Sequence, residues 1–158
     1  PVTVWTDVRV RDAWLIVHII FVLAGYAALL LTAVSSVFYL VQERRLKSKN
    51  DPTKFEKLPP LGTLDNLISS SLGFGFVFIT LGAVLGVLWA FIELGTSWVG
   101  NASVNLAFVT WGLCLLMIFM RASAGWRGRK AAVMALVVLG CGALTWIAHA
   151  GLRPVLVP

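Results

Sequence analysis

Four windows of the sequence, residues 13–42, 67–92, 94–120 and 131–152, contain no Asp, Glu, Lys or Arg. A helix rises about 1.5 Å per residue and the hydrocarbon of a bilayer is about 30 Å thick, so roughly 20 apolar residues cross it. Every window exceeds that length, and none alternates with the period of two that a barrel strand requires. The pattern predicts an all-α membrane protein with four transmembrane helices. Composition agrees, since charged residues make up only 13% of the chain, against about a quarter in soluble domains.

The segments between the windows set the direction of crossing. Arg44, Arg45, Lys47, Lys49, Lys54 and Lys57 lie between the first two windows, and Arg121, Arg127, Arg129 and Lys130 lie between the last two, so most of the 13 basic residues flank one side. The positive-inside rule makes that side cytoplasmic. The expected organisation is an outer segment at 1–12, helices at 13–42, 67–94, 104–121 and 131–151, cytoplasmic basic loops at 43–66 and 122–130, and an outer loop at 95–103. An outer tail at 152–158 completes it, so both termini face the periplasm or lumen, and short loops impose an up-down bundle. With so little other polar surface, the net charge of +6 reads as a topology signal and a contact for anionic membrane lipids, with no nucleic-acid site. Pro52, Pro59, Pro60 and Gly62 make the first connector irregular, with Thr63 or Asp65 as the expected N-cap of the second helix. The first run is too long for the core of a cleavable signal, and Pro1 in place of Met is expected of a processed or partial product.

Several chemistries are excluded. The sequence holds no GxSxG, no paired carboxylates, no Cys-His couple and no glycine-rich phosphate loop after a strand, so no catalytic constellation for hydrolysis or phosphoryl transfer is present. The midplane lacks Asp, Glu, Lys and Arg, which argues against a proton relay or ion path confined to this chain. Cys114 and Cys141 each fall mid-helix and read as packing residues. In the second helix Ser71, Gly75, Gly82, Gly86 and Ala90 align small residues on one face, with Gly82 and Gly86 as GxxxG, which suits the close approach of a neighbouring helix or of a flat ligand.

The remaining polar chemistry gathers on the outer side. His18 lies about two turns inside the outer end of the first helix, and His149 lies at the outer end of the fourth. Trp5, Trp14, Trp89, Trp98, Trp111 and Trp146 map to the same half, and Trp126 alone sits at the inner boundary. Two imidazoles, stacking indoles and the outer Arg9, Arg11 and Arg153 suit haem, with imidazole for iron, rings for the macrocycle and guanidinium for propionates. The plainer reading is that His18 hydrogen-bonds across the bundle and His149 sits hydrated at the interface.

Taken in order, WLIVHIIFVLAGYAALL, YLVQERRLK, LPPLGTLDNL, GFVFITLGAVLGVLWA and GWRGRKAA resemble the membrane-integral cytochrome c assembly family, of the CcsA type and its shorter HemX-like relatives. The resemblance spans about residues 14 to 146 and covers the C-terminal portion of a typical member. It implies that His18 stands where active members keep an outward-facing haem ligand. It also aligns GVLWAFIELGTSWVGNASVNLAFVTW without a gap against the tryptophan-rich segment, with Trp89, Ala90, Gly95, Trp98, Thr110 and Trp111 at matching positions. The family's WDPKE is replaced by GNASV, residues 100–104, and His149 stands nearer to GWRGRKAA than the family's second external histidine does.

Two functions follow as expectations. In one, a haem-handling protein of cytochrome c maturation holds haem at His18 and His149 with Trp89, Trp98 and Trp111, and meets apocytochrome c or an assembly partner. In the other, an accessory subunit that has lost haem attachment packs among other membrane protein subunits. Either is an integral multi-pass protein of a bacterial inner membrane or of an organellar membrane. The orientation is checked by single-cysteine accessibility in a Cys114→Ser, Cys141→Ser background: Thr96→Cys is expected to react with an impermeant outer reagent and Leu46→Cys to be protected.

Overall fold

The structure, a computed structural model, describes residues 7–48 and 59–150, apart from the side chains of residues 94, 98, 103 and 148–150. Trp5, Lys49, Lys54, Lys57, Arg153 and most of the proline-bearing connector lie outside the described residues. The described residues form four α-helices, α1 Val8–Ser48, α2 Leu61–Leu94, α3 Ala102–Ser123 and α4 Arg129–Ala150, with a 3-10 turn at Ser97–Gly100 after α2. All four are long and apolar enough to cross a membrane.

The helices run beyond the charge-free windows. The 41 residues of α1 extend about 60 Å, roughly twice the hydrocarbon thickness, because charged residues end the apolar stretch without ending the helix. Thr63 and Asp65 do not cap α2. Pro60 takes that position with extended backbone, φ −62° and ψ 150°, and no side-chain cap. Its carbonyl accepts from the amides of Thr63 and Leu64, which leaves Asp65 free inside the helix for a different partner.

Consecutive helices are antiparallel, and α4 returns to α1. Along the α1–α2 seam Val22 faces Gly82, Gly25 faces Ile79, and Ala28 faces Gly75, so rising numbers on α1 meet falling numbers on α2. Trp111 meets Thr80 and Arg121 meets Asp65, Thr110 meets Thr145, and Tyr26 packs on Gly142. This is the up-down bundle. Its inside mixes an apolar core of Leu29, Ile68, Leu72, Met117 and Val138 with small hydroxyl residues, while its outside is apolar: Thr32, Ser35 and Ser36 are at most 2% exposed, whereas Phe74 and Phe91 are 65% and 59% exposed. Lipid tails are as apolar as those phenyl rings, so the helices are held by close backbone approach and by hydrogen bonds.

Glycine makes that approach. A Cβ on Gly25 would lie 2.5 Å from Ile79 Cγ1 and 3.1 Å from its backbone nitrogen, and one on Gly82 would lie 2.8 Å from Val22 Cγ2. Hydroxyls bridge the same seam, Thr32 Oγ1 to Ser71 Oγ at 2.8 Å; each also has the carbonyl four residues earlier within reach, so one hydroxyl donates across the seam while the other donates to its own helix. Between α3 and α4 the hydroxyls of Thr110 and Thr145 lie 3.3 Å apart.

One end of the bundle collects most of the basic charge. Arg44, Arg45 and Lys47 close α1 there, Arg121 closes α3, and Arg129 and Lys130 open α4. Arg121 Nη2 meets Asp65 Oδ1 at 3.1 Å, with the two side chains only 11% and 15% exposed, and also reaches the Ser69 hydroxyl. That pair fastens the start of α2 to the end of α3. The turn into α4 passes through Gly128 at φ +69°, a left-handed conformation that other residues adopt at a cost, and Tyr39 of α1 packs its hydroxyl against it.

Gly25→Leu is expected to force α1 from α2 and to cost about 1–3 kcal/mol as an overpacked interior. Gly73→Ala, on α2 with open space around it, is expected to gain about 0.5–1 kcal/mol. Unfolding in mixed detergent micelles measures both.

Candidate functional site

At the end opposite the charge, α1 presents Trp14 and His18, one turn apart and therefore on one face. They meet α2 at Leu85, Gly82 and Gly86. Trp14 Nε1 donates to the Leu85 carbonyl at 3.0 Å, and His18 Nδ1 lies 2.8 Å from the Gly82 carbonyl. A carbonyl oxygen only accepts, so Nδ1 carries the proton of this bond, and in the neutral ring Nε2 keeps its lone pair. The imidazole is half-buried and lies against Gly86, where an added Cβ would come within 2.6 Å of Cε1.

Trp89 follows Gly86 by three residues, on the same side of α2. Its Nε1 is buried and has no acceptor among the described residues. An orphaned indole N–H of this kind costs about 1–3 kcal/mol. Trp111 is placed differently. Its Nε1 donates to Thr80 Oγ1 at 3.0 Å, the Thr80 hydroxyl passes its own proton to the Phe76 carbonyl at 2.7 Å, and the indole stacks on Phe76 with centroids 5.9 Å apart. Trp111 thus sits deeper than His18, in the α2–α3 seam, with its donor committed.

His149 is the next-to-last residue of α4, and its side chain lies outside the described residues. The register that sets Tyr39 at Gly128 and Tyr26 at Gly142 carries position 149 to the level of His18. Trp98 belongs to the 3-10 turn that joins α2 to α3 at this same end, and its side chain too lies outside the described residues. Arg11 closes over the α1–α2 seam with Nε 3.6 Å from Glu93 Oε1.

The sequence pattern named His18 and Trp89 but not their surroundings. Trp14 was read as one of several interfacial indoles, and its bond to Leu85 has no sequence signature. The seat of His18 had one: the GxxxG of Gly82 and Gly86 matches the four-residue spacing of Trp14 and His18 on the facing helix. The Arg121–Asp65 pair had none beyond the position of both residues at helix ends.

Among the described residues no three of His, Cys, Asp and Glu gather to hold a bare metal ion, and Cys114 and Cys141 are free thiols. Among the described residues, this end of the bundle offers the Nε2 lone pair of His18, the buried indole N–H of Trp89 without an acceptor, and the indole rings of Trp14 and Trp89.

A sequence profile of the family described as cytochrome C assembly protein matches residues 8–154. The chain belongs to the cytochrome c assembly protein family. Among its curated relatives, the cytochrome c biogenesis protein CcsA of Prochlorococcus marinus (strain MIT 9215) is 32% identical over 154 residues, covering 83% of this chain and 50% of the relative. CcsA of Mesostigma viride is 26% identical over 163 residues, 90% of this chain and 52% of the relative. CcsA of Chlamydomonas reinhardtii is 28% identical over 127 residues, with 80% and 35% covered. This cytochrome c assembly family member thus spans about half the length of the first two relatives. No solved structure matches it. Four spanning helices and these relatives make it an integral multi-pass protein of a bacterial inner membrane or an organellar membrane.

The contrast between the two indoles is measurable. Trp111→Phe severs a made bond, whereas Trp89→Phe removes an unmade one, so Trp111→Phe is expected to lower stability by about 1 kcal/mol more. Thermal or detergent-induced unfolding of the two variants gives the order, and the reverse order would mean that the Trp89 N–H has an acceptor.

Proposed function

We propose that this chain handles haem in cytochrome c assembly, with His18 as the residue that would hold its iron at the aromatic end of the bundle. The observation that carries the reading is the 2.8 Å contact of His18 Nδ1 with the Gly82 carbonyl. Metal-bound histidines donate their other ring N–H to a carbonyl or carboxylate in this way, which fixes the ring and raises the basicity of the ligating nitrogen. When bound, haem supplies an iron that accepts a neutral imidazole and a macrocycle with flat faces and acidic edges. The residues present fit such a group. Gly86 leaves the imidazole the room that a side chain would fill, and the buried Trp89 N–H lacks an acceptor that a ligand can provide.

In this reading each residue has a separate task. His18 Nε2 holds iron, Trp14 braces α1 against α2 one turn away, and Trp89 donates its N–H to the bound group. Trp98 and His149 are assigned to the same end by their backbone positions, His149 as the second ligand, and Trp111 supports that end from below through Thr80. Arg9 and Arg11 supply positive charge for carboxylates at this end. The basic connectors face the cytoplasm and anionic lipid, so haem is held toward the periplasm or lumen, where apocytochrome c or an assembly partner meets it.

A second reading has its own support. Residues 100–104, GNASV, stand where the resembling family carries WDPKE, and they run from the 3-10 turn into the start of α3. A surface without that Trp, Asp and Lys-Glu pair suits an accessory subunit that packs among other membrane proteins and attaches no haem.

Absorption of the protein purified in mild detergent separates the two. The first reading expects a Soret band that is lost in His18→Ala and in His18→Asn. Asparagine keeps an amide donor near the place of Nδ1 and deletes Nε2, so its loss of colour without loss of fold assigns the band to ligation. Colourless protein with stoichiometric partner chains supports the second reading.

A further inference from the structure

We infer that Gly82 and Gly86 are positioning residues for His18, which they fix as the Nδ1–H tautomer with Nε2 bare. The inference deepens the proposed role of His18 as a ligand and rests on that reading for its functional meaning. The geometry behind it stands apart from any bound group.

Helical side chains lean toward the helix N-terminus and lie over the preceding turn. Residue 86 is therefore the position whose side chain would cover the carbonyl of residue 82. Glycine at 86 leaves that oxygen open on the α1 side. The His18 ring lies in the space so opened: a Cβ on Gly86 would be 2.6 Å from Cε1, 3.1 Å from Nδ1 and 3.5 Å from Nε2. The edge of the ring that enters is the Nδ1–Cε1 edge, and Nε2 is the nitrogen farther from the glycine. In the helix the Gly82 oxygen accepts the amide of residue 86, and its second lone pair takes the imidazole proton.

Gly82 acts on the same seat through distance. A Cβ there would meet Val22 Cγ2 at 2.8 Å and the Val22 backbone nitrogen at 3.3 Å, so the missing side chain lets α1 approach closely one turn from His18. Neutral histidine in water favours the proton on Nε2. The seat reverses that preference, and the nitrogen left without a proton is the one able to bind a metal. GxxxG here both packs two helices and sets the protonation pattern of an imidazole.

The test is nitrogen-15 NMR of histidine-labelled, ligand-free protein in lipid, at a pH where imidazole is neutral, with the His18 signals assigned by their loss in His18→Asn. Wild-type protein is expected to show a protonated Nδ1 and an unprotonated Nε2 at His18. Gly86→Ala is expected to move the tautomer ratio toward Nε2–H by roughly tenfold, the size of one lost hydrogen bond. Gly73→Ala, with open space around it, is expected to leave the ratio unchanged. A wild-type His18 protonated on Nε2 overturns the inference without reference to how any glycine variant folds, and an unchanged ratio in Gly86→Ala overturns the part given to that residue. Haem titration of the same sample keeps the two readings apart. The Nδ1–H form without a Soret band upholds the positioning and sinks the ligand, whereas a His18-dependent Soret band with the Nε2–H form does the reverse.

Discussion

The close approach of α1 to α2 is the contact on which the rest of the bundle depends. In lipid no hydrophobic force draws one apolar helix to another, so attraction comes from backbones near enough to touch. Gly25, Gly75, Gly82 and Gly86 remove the side chains that would hold the two helices apart. The same removal has a chemical effect, because a helix without a side chain at one position shows the carbonyl oxygen one turn before it. The seam thus gains an acceptor at Gly82 as it tightens, which His18 uses, while Trp14 one turn away donates to the Leu85 carbonyl. Packing and site are consequences of one arrangement.

The two ends of the bundle differ in how their polar groups are matched. At the basic end Asp65 faces Arg121 and Lys47 faces Glu43; the first pair is mostly buried and ties two helices, while the second is exposed and contributes little. At the aromatic end the buried indole N–H of Trp89 has no acceptor among the described residues, and the bond at Nδ1 turns the lone pair of His18 Nε2 away from the seam. Groups left unmatched inside a bundle are a cost to its stability, and both ends carry them among the described residues: Gln42 Oε1 and Arg121 Nη1 at the basic end, and Trp89 Nε1 at the aromatic end.

The fold was legible because hydrocarbon thickness is a severe constraint: four charge-free windows of sufficient length leave few alternatives to four helices. The helix ends were less legible. Lys, Arg and Glu mark where lipid stops, but a helix continues through them into water, as α1 does at both ends. Thr63 and Asp65 carried the usual signature of a cap, yet Pro60 precedes them with a backbone already extended, and the helix begins there. At the site, His18 stood out as the lone imidazole in an apolar run. Its bond to Gly82 did not, since bonds from side chain to backbone leave no trace in the acceptor's identity. Trp89 and Trp111 look alike in sequence. The structure separates them by one hydroxyl, Thr80, which lies within reach of the second indole nitrogen and leaves the first unmatched.

The replacement at residues 100–104 bears on which function is retained, and the physical asymmetry of His18 helps to weigh it. A packing subunit has use for an imidazole that bridges two helices, and the bond at Nδ1 serves that purpose in full. It gains nothing from a bare Nε2 and loses stability through an orphaned indole N–H three residues from the same seat. A protein that binds a large planar ligand needs both: the nitrogen as a point of attachment, and the indole as a donor whose cost in the empty bundle is recovered on binding. The loss of WDPKE removes groups from the loop that would present such a ligand to a partner. It leaves untouched the helical seam that would hold it. On the proposed reading holding and attaching are separable: the helical seam carries the features assigned to the first, while residues 100–104 depart from the family pattern expected for the second.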